Sequence, residues 1–107
     1  MELECRFVLH IPLSRWEKGE VVGIDVDDEI GDLIDCLESG GFDSFYITRV
    51  ESRYRSRTYD ELLITIFAGE DDGPCEIFRK WFCRHNRILG QEAFAFELNN
   101  RLVIENL

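Results

Sequence analysis

The chain has 107 residues, with 22 Asp and Glu against 12 Lys and Arg and a formal net charge of -10. That length points to one domain, 1–107, with a single core, and 45% hydrophobic with 12% aromatic residues exclude a disordered acidic tail. The charge argues against direct nucleic-acid binding, no apolar run nears the ~20 residues of a membrane helix, and "MELECRF" lacks the basic start and apolar core of a signal peptide, so a cytoplasmic location is expected.

"CRFVLHI" (5–11) alternates, with Cys5, Phe7, Leu9 and Ile11 on one face and Arg6, Val8 and His10 on the other, which predicts a strand. Residues 13–26 then read as a long connecting arm carrying Trp16, Val21, Val22, Ile24 and Val26. In "DDEIGDLIDCLESGG" (27–41), Ile30, Leu33, Ile34 and Leu37 recur at helical spacing, Asp27 is the expected cap, and Gly40 and Gly41 end the helix. Residues 42–55 and 58–68 read as an antiparallel strand pair, with no Asn-Gly or Asp-Gly to set the register over 52–60. "EDDGP" (70–74) opens a second helix whose apolar side is Ile77, Phe78, Trp81 and Phe82, and Gly90 closes it. "QEAFAFEL" (91–98) and "RLVIENL" (101–107) are strands joined by Asn99-Asn100. This order predicts an α+β, ferredoxin-like β-α-β-β-α-β antiparallel sheet with both helices on one face and an extra C-terminal strand.

Arg49, Arg53, Arg55 and Arg57 crowd one hairpin of this acidic chain. A charged edge strand resists edge-to-edge association, and an arginine fork suits anions, so Arg53, Arg55 and Arg57 are anion-binding candidates. If Val50, Leu62 and Ile64 face the helices, the helix-free face holds Val8, His10, Phe45, Ile47, Arg49, Leu63, Thr65, Phe67, Ala93 and Ala95. A largely apolar open face marks an interface or a ligand surface. Its expected cover is a second copy of the chain in a homodimer, with the 13–26 arm as the alternative.

Chemical motifs are sparse. Asp25, Asp27 and Glu29 alternate like a calcium loop, but Ile30 and Cys36 stand where glycine and the bidentate glutamate are needed. The four cysteines are too scattered for a zinc or disulfide framework. No phosphate loop, nucleophile elbow or metalloprotease pair occurs, so no cofactor or metal is expected. "FVLHIPL" (7–13), "YDELLITIFAG" (59–69) and "LGQEAFAFELNN" (89–100), with the Gly90-Gln91-Glu92 turn, resemble small uncharacterised bacterial proteins with a ferredoxin-like fold. That resemblance implies no settled activity and carries no functional residues.

Three functions are compatible with these features. The leading expectation is a non-enzymatic interaction or regulatory domain acting through the open face and the Arg hairpin. A second is an acidic decoy or inhibitor, a nucleic-acid mimic of phage or mobile-element origin, docking on a basic protein partner. A third is a small-molecule binder or small enzyme using His10, Arg49 and Thr65 on the open face.

Overall fold

The computed structural model describes residues 4–69, 71 and 73–107; Met1, Glu2 and Leu3 of the N-terminal segment, and Glu70 and Asp72 of the acidic run before the second helix, lie outside them. Nine elements follow in order: β1 (Cys5–Pro12), β2 (Ser14–Glu17), β3 (Glu20–Gly23), α1 (Asp27–Ser39), β4 (Tyr46–Tyr54), β5 (Arg57–Ala68), α2 (Cys75–Leu89), β6 (Ala93–Leu98) and β7 (Arg101–Asn106). The fold is α+β. Five strands form one antiparallel sheet in the order β4-β5-β1-β6-β7, and β2-β3 is a separate hairpin.

The hairpin corrects the reading of 13–26 as an arm. Lys18 (φ 52°) and Gly19 (φ 80°) link Glu17 to its partner Glu20, a two-residue turn whose backbone twist suits hairpins. Asp27 does not cap α1 through its side chain. The carboxylate of Asp25 instead accepts the Asp27 N–H at 3.0 Å.

One core lies between the sheet and both helices. Cys5, Phe7, Leu9 and Ile11 of β1 meet Ile64 and Ile66 of β5, Phe94 and Phe96 of β6, Leu33 and Leu37 of α1, and Phe78, Trp81, Phe82 and Leu89 of α2. Phe78, Trp81 and Phe82 are 0% exposed, and each such side chain contributes about 1.5–3 kcal/mol by leaving water. Phe82 stacks on Phe94 with ring centroids 5.2 Å apart. The Trp81 Nε1–H donates to the Glu29 carbonyl at 2.7 Å, so this buried indole is satisfied and pins α2 to the first turn of α1.

The register of the Arg-rich hairpin corrects the expected assignment of faces. Tyr54 pairs with Arg57, leaving a two-residue turn of Arg55 (φ 51°) and Ser56 (φ 65°). Directly paired residues point to the same side of a sheet. Ile47 pairs with Ile64, and Arg49 with Leu62, so both lie on the helix side rather than the open face. Val50, opposite Glu61, lies on the helix-free side instead of in the helix-covered layer. An even turn reverses the parity that an odd one would give, and every side chain of β4 changes face with it. The expectation that β4 is an edge strand agrees with the strand order.

Candidate functional site

β1 is the middle strand, and its even-numbered side chains point away from the helices. His10 is one of them. Its neighbour Pro12 pairs with Glu61 on β5, and Val8 pairs with Glu97 on β6. Glu61 and Glu97 therefore stand on opposite diagonals of His10, a spacing that long side chains can bridge. The His10 Nε2 meets Glu97 Oε2 at 2.7 Å, and Nδ1 lies 3.6 Å from Glu61 Oε2. All three side chains are largely covered, with 20% (His10), 26% (Glu61) and 28% (Glu97) exposed. Glu61, and then Glu97, raise the His10 pKa above its usual value of 6.5, against the opposing effect of burial. The imidazolium can donate from both ring nitrogens and hold the two carboxylates in place.

This cluster borders two hollows. A cavity of about 300 Å³ is walled by Trp16, Tyr54 and Tyr59, with Glu61, Asp60 and Gln91. A smaller one of about 140 Å³ contains His10, Ala93, Ala95 and Ile104. Pro12, Glu61 and Gln91 line both, so the two adjoin across the Glu61 carboxylate. Gln91 also builds the rim. Its Nε2–H donates to the carbonyls of Ser14 (3.0 Å) and Leu89 (2.7 Å), and Asn86 braces its backbone. Aromatic faces beside carboxylates make a surroundings suited to an organic cation. Among the described residues, no group of three or more His, Cys, Asp or Glu is placed to hold a metal ion.

The residues expected on the open face divide. Val8, His10, Leu63, Thr65, Phe67, Ala93 and Ala95 share the helix-free side by their pairing. Val8 is 1% exposed, so it supports the surface from beneath. Ile47 and Arg49 lie on the other face, so the trio His10, Arg49 and Thr65 is not brought together. The four arginines do not converge either. Arg49 reaches Asp60 at 3.5 Å; Arg53 donates to the Thr58 hydroxyl and the Ser56 carbonyl; Arg55 sits over its neighbour Tyr54; and Arg57 sits over Trp16. Glu61, Glu97, Tyr59 and Gln91 were not among the expected site residues. The available signal was an acid at the edge of an apolar run in each of two segments, "ELLITIF" and "AFAFEL", flanking the strand with a lone histidine.

On this helix-free face Tyr46, Phe67, Leu102 and Ile104 are exposed. A solved structure described as a phage SAM lyase in complex with S-methyl-5′-thioadenosine matches with a TM-score of 0.58 and 13% identity, covering 96% of this chain and 89% of its own. A second, described as a phage SAM lyase in the apo state, matches with a TM-score of 0.59 and 14% identity over the same shares. No family model and no curated protein matches the chain. The likeness to small uncharacterised bacterial proteins is thereby corrected, since the likeness found is to the phage lyase structures. The expectation of a non-enzymatic interaction domain is corrected by the same finding, since the two matching structures are described as a lyase. At this level of identity, what the chain has in common with the phage SAM lyase structures is its fold, over nearly its full length.

Proposed function

We propose that the chain is a small-molecule-binding enzyme of the lyase type, acting on a sulfonium nucleoside such as S-adenosylmethionine. The site assigned is the groove around His10, Glu61 and Glu97 with the adjoining Trp16–Tyr54–Tyr59 cavity. The observation that carries the reading is the convergence of two carboxylates on one imidazole, beside an aromatic-walled hollow. A sulfonium is a fixed positive charge, attracted to carboxylates and to aromatic faces. A lyase adds no water. The C–S bond breaks, sulfur keeps the electron pair and becomes a neutral thioether, and the carbon it leaves is satisfied either by a double bond formed as the adjacent carbon gives its proton to a base, or by a bond from a nucleophile within the departing chain. Carboxylates that merely attract the cation favour the charged ground state and so supply affinity, not rate. We therefore assign rate to a group acting on the departing chain, and Glu61, which lines both hollows, is the residue placed for it. His10 is its positioning residue.

The strand order β4-β5-β1-β6 supports reading the topology as ferredoxin-like, with β7 added. The likeness to phage structures supports a phage source among the origins considered. Self-association as a homodimer through the exposed Tyr46, Phe67, Leu102 and Ile104 is the partner arrangement we propose, since a monomer would leave this apolar patch in water. Among the described residues, no helix is long and apolar enough to cross a membrane.

The test is incubation with S-adenosylmethionine followed by chromatographic detection of S-methyl-5′-thioadenosine. Release of that product, lowered about 100-fold or more in Glu61→Gln as for a lost general base, is the expected result. No product, together with no thermal shift from either compound at millimolar concentration, would overturn the reading.

A further inference from the structure

The mouth of the larger cavity is formed by two hairpins held in different ways. The base of β2-β3 is tied down from three sides. The Leu13 N–H donates to the Asp60 carbonyl at 3.1 Å, Gln91 donates to Ser14, and Arg15 donates to the Arg87 and Ile88 carbonyls at the end of α2. Gly90 belongs to this anchor: its φ is +63°, and a Cβ there would stand 2.8 Å from Arg15 Cδ. Past Arg15 the character of the contact changes. Trp16 is 53% exposed, and the guanidinium carbon of Arg57 lies over its ring, 4.6 Å from the centroid. Arg57 comes from the last pair before the Arg55-Ser56 turn. In a chain of net charge -10, it has no carboxylate within ion-pair distance among the described residues. The Trp16 ring thus lines the cavity while one of its faces is occupied by the guanidinium of Arg57, which has no salt-bridge partner among the described residues.

We infer that Arg57 is a placeholder on Trp16: it covers a stacking subsite for the planar base of a nucleoside and yields it when the ligand arrives. The inference rests on the site assigned above and adds its nucleobase-recognition element. Physical ordering favours the exchange. Stacking of a base on an aromatic ring is stronger than a solvent-exposed guanidinium–indole contact. The displaced guanidinium stays at the mouth, where its planar fork can engage a carboxylate on the ligand's chain.

Calorimetric titration with S-methyl-5′-thioadenosine separates the parts, because this probe carries the base and thioether but no carboxylate. Arg57→Ala should bind it about 2–5-fold more tightly than the unaltered chain, the competing contact having been removed. Trp16→Ala should bind it at least about 5-fold more weakly. Both residues are at the surface, so neither change opens the core. Equal or weaker binding by Arg57→Ala, or undiminished binding by Trp16→Ala, would overturn the placeholder while the unaltered chain's own binding left the functional reading standing. Binding by none of the three proteins would overturn both.

Discussion

Replacing His10 with Gln tests the electrostatic centre of the groove. Gln keeps a neutral donor at the position but is uncharged at every pH, so the difference from the parent isolates the imidazolium. In the parent, Nε2 meets Glu97 at 2.7 Å and Nδ1 lies 3.6 Å from Glu61. The first is a charge-assisted hydrogen bond and the second an ion contact without one. A hydrogen bond to a charged partner contributes about 1.5–3 kcal/mol, and a neutral one about 1 kcal/mol. With both carboxylates still about a quarter exposed, the lower end applies, and the charge itself is worth about 1 kcal/mol. Because Glu61 and Glu97 raise the folded-state pKa of His10 above 6.5, this stabilisation is complete below the unfolded value. It is lost as pH rises through the folded one. Thermal unfolding near pH 6 should therefore place His10→Gln about 4–8 °C below the parent. Near pH 9 the gap should shrink. A gap that stays constant, or widens as pH rises, would refute the reasoning.

The turn at Arg55-Ser56 holds two non-glycine residues at positive φ; Ser56→Gly should stabilise the chain by about 1 kcal/mol, read as a raised denaturant midpoint at unchanged slope. Asp32 accepts from Arg84 at 2.7 Å and from His85 at 2.6 Å, and His85, then Arg84, hold its pKa below the usual value. Its contribution is present above the unfolded carboxylate pKa and lost as pH falls through the lowered folded one. Asp32→Asn should accordingly lose less stability than the parent between about pH 5 and pH 2, measured by thermal unfolding. Phe78→Ala should cost about 3–5 kcal/mol, since Phe78 is 0% exposed and contacts Trp81, Phe82 and Phe94. Ile104→Lys should lower the solution mass by sedimentation if the apolar face joins two copies; an unaltered monomer in the parent would refute that arrangement.

The elements with a strong period were legible from the residues alone. Leu33 and Leu37 in α1, Phe78, Trp81 and Phe82 in α2, and the alternating apolar side of β1 all occupy the core. What could not be read was parity. Arg55-Ser56 makes a turn that Asn-Gly would have announced, and without that signal the register had to be set by placing Val50 with Leu62 and Ile64 on the helix side. One residue of turn length moved Ile47 and Arg49 to the helix side. The β2-β3 hairpin was hidden for a related reason: its apolar residues are scattered and mostly exposed, so no period stands out. His10 was identifiable as an unusual residue on the open face. Its partners were not, because they come from strands 51 and 87 positions away and meet it only through register. An acid at the edge of an apolar run is easily taken for a solvated residue.

The central strand does two jobs at once, with Leu9 and Ile11 locked into the interior and His10 projecting from between them on the reverse side. Its main chain pairs with β5 along its whole length and with β6 at residues 7–9, so the imidazole has little freedom to follow a ligand's shape. Adaptation must fall to the hairpin ends, which are held by far less. Amide exchange ought to show this division of labour, slowest along residues 7–11 and fastest around 17–20 and 54–57. Variation in what such a scaffold accepts would then arise by changing those outer loops, with the inner strand left as it is.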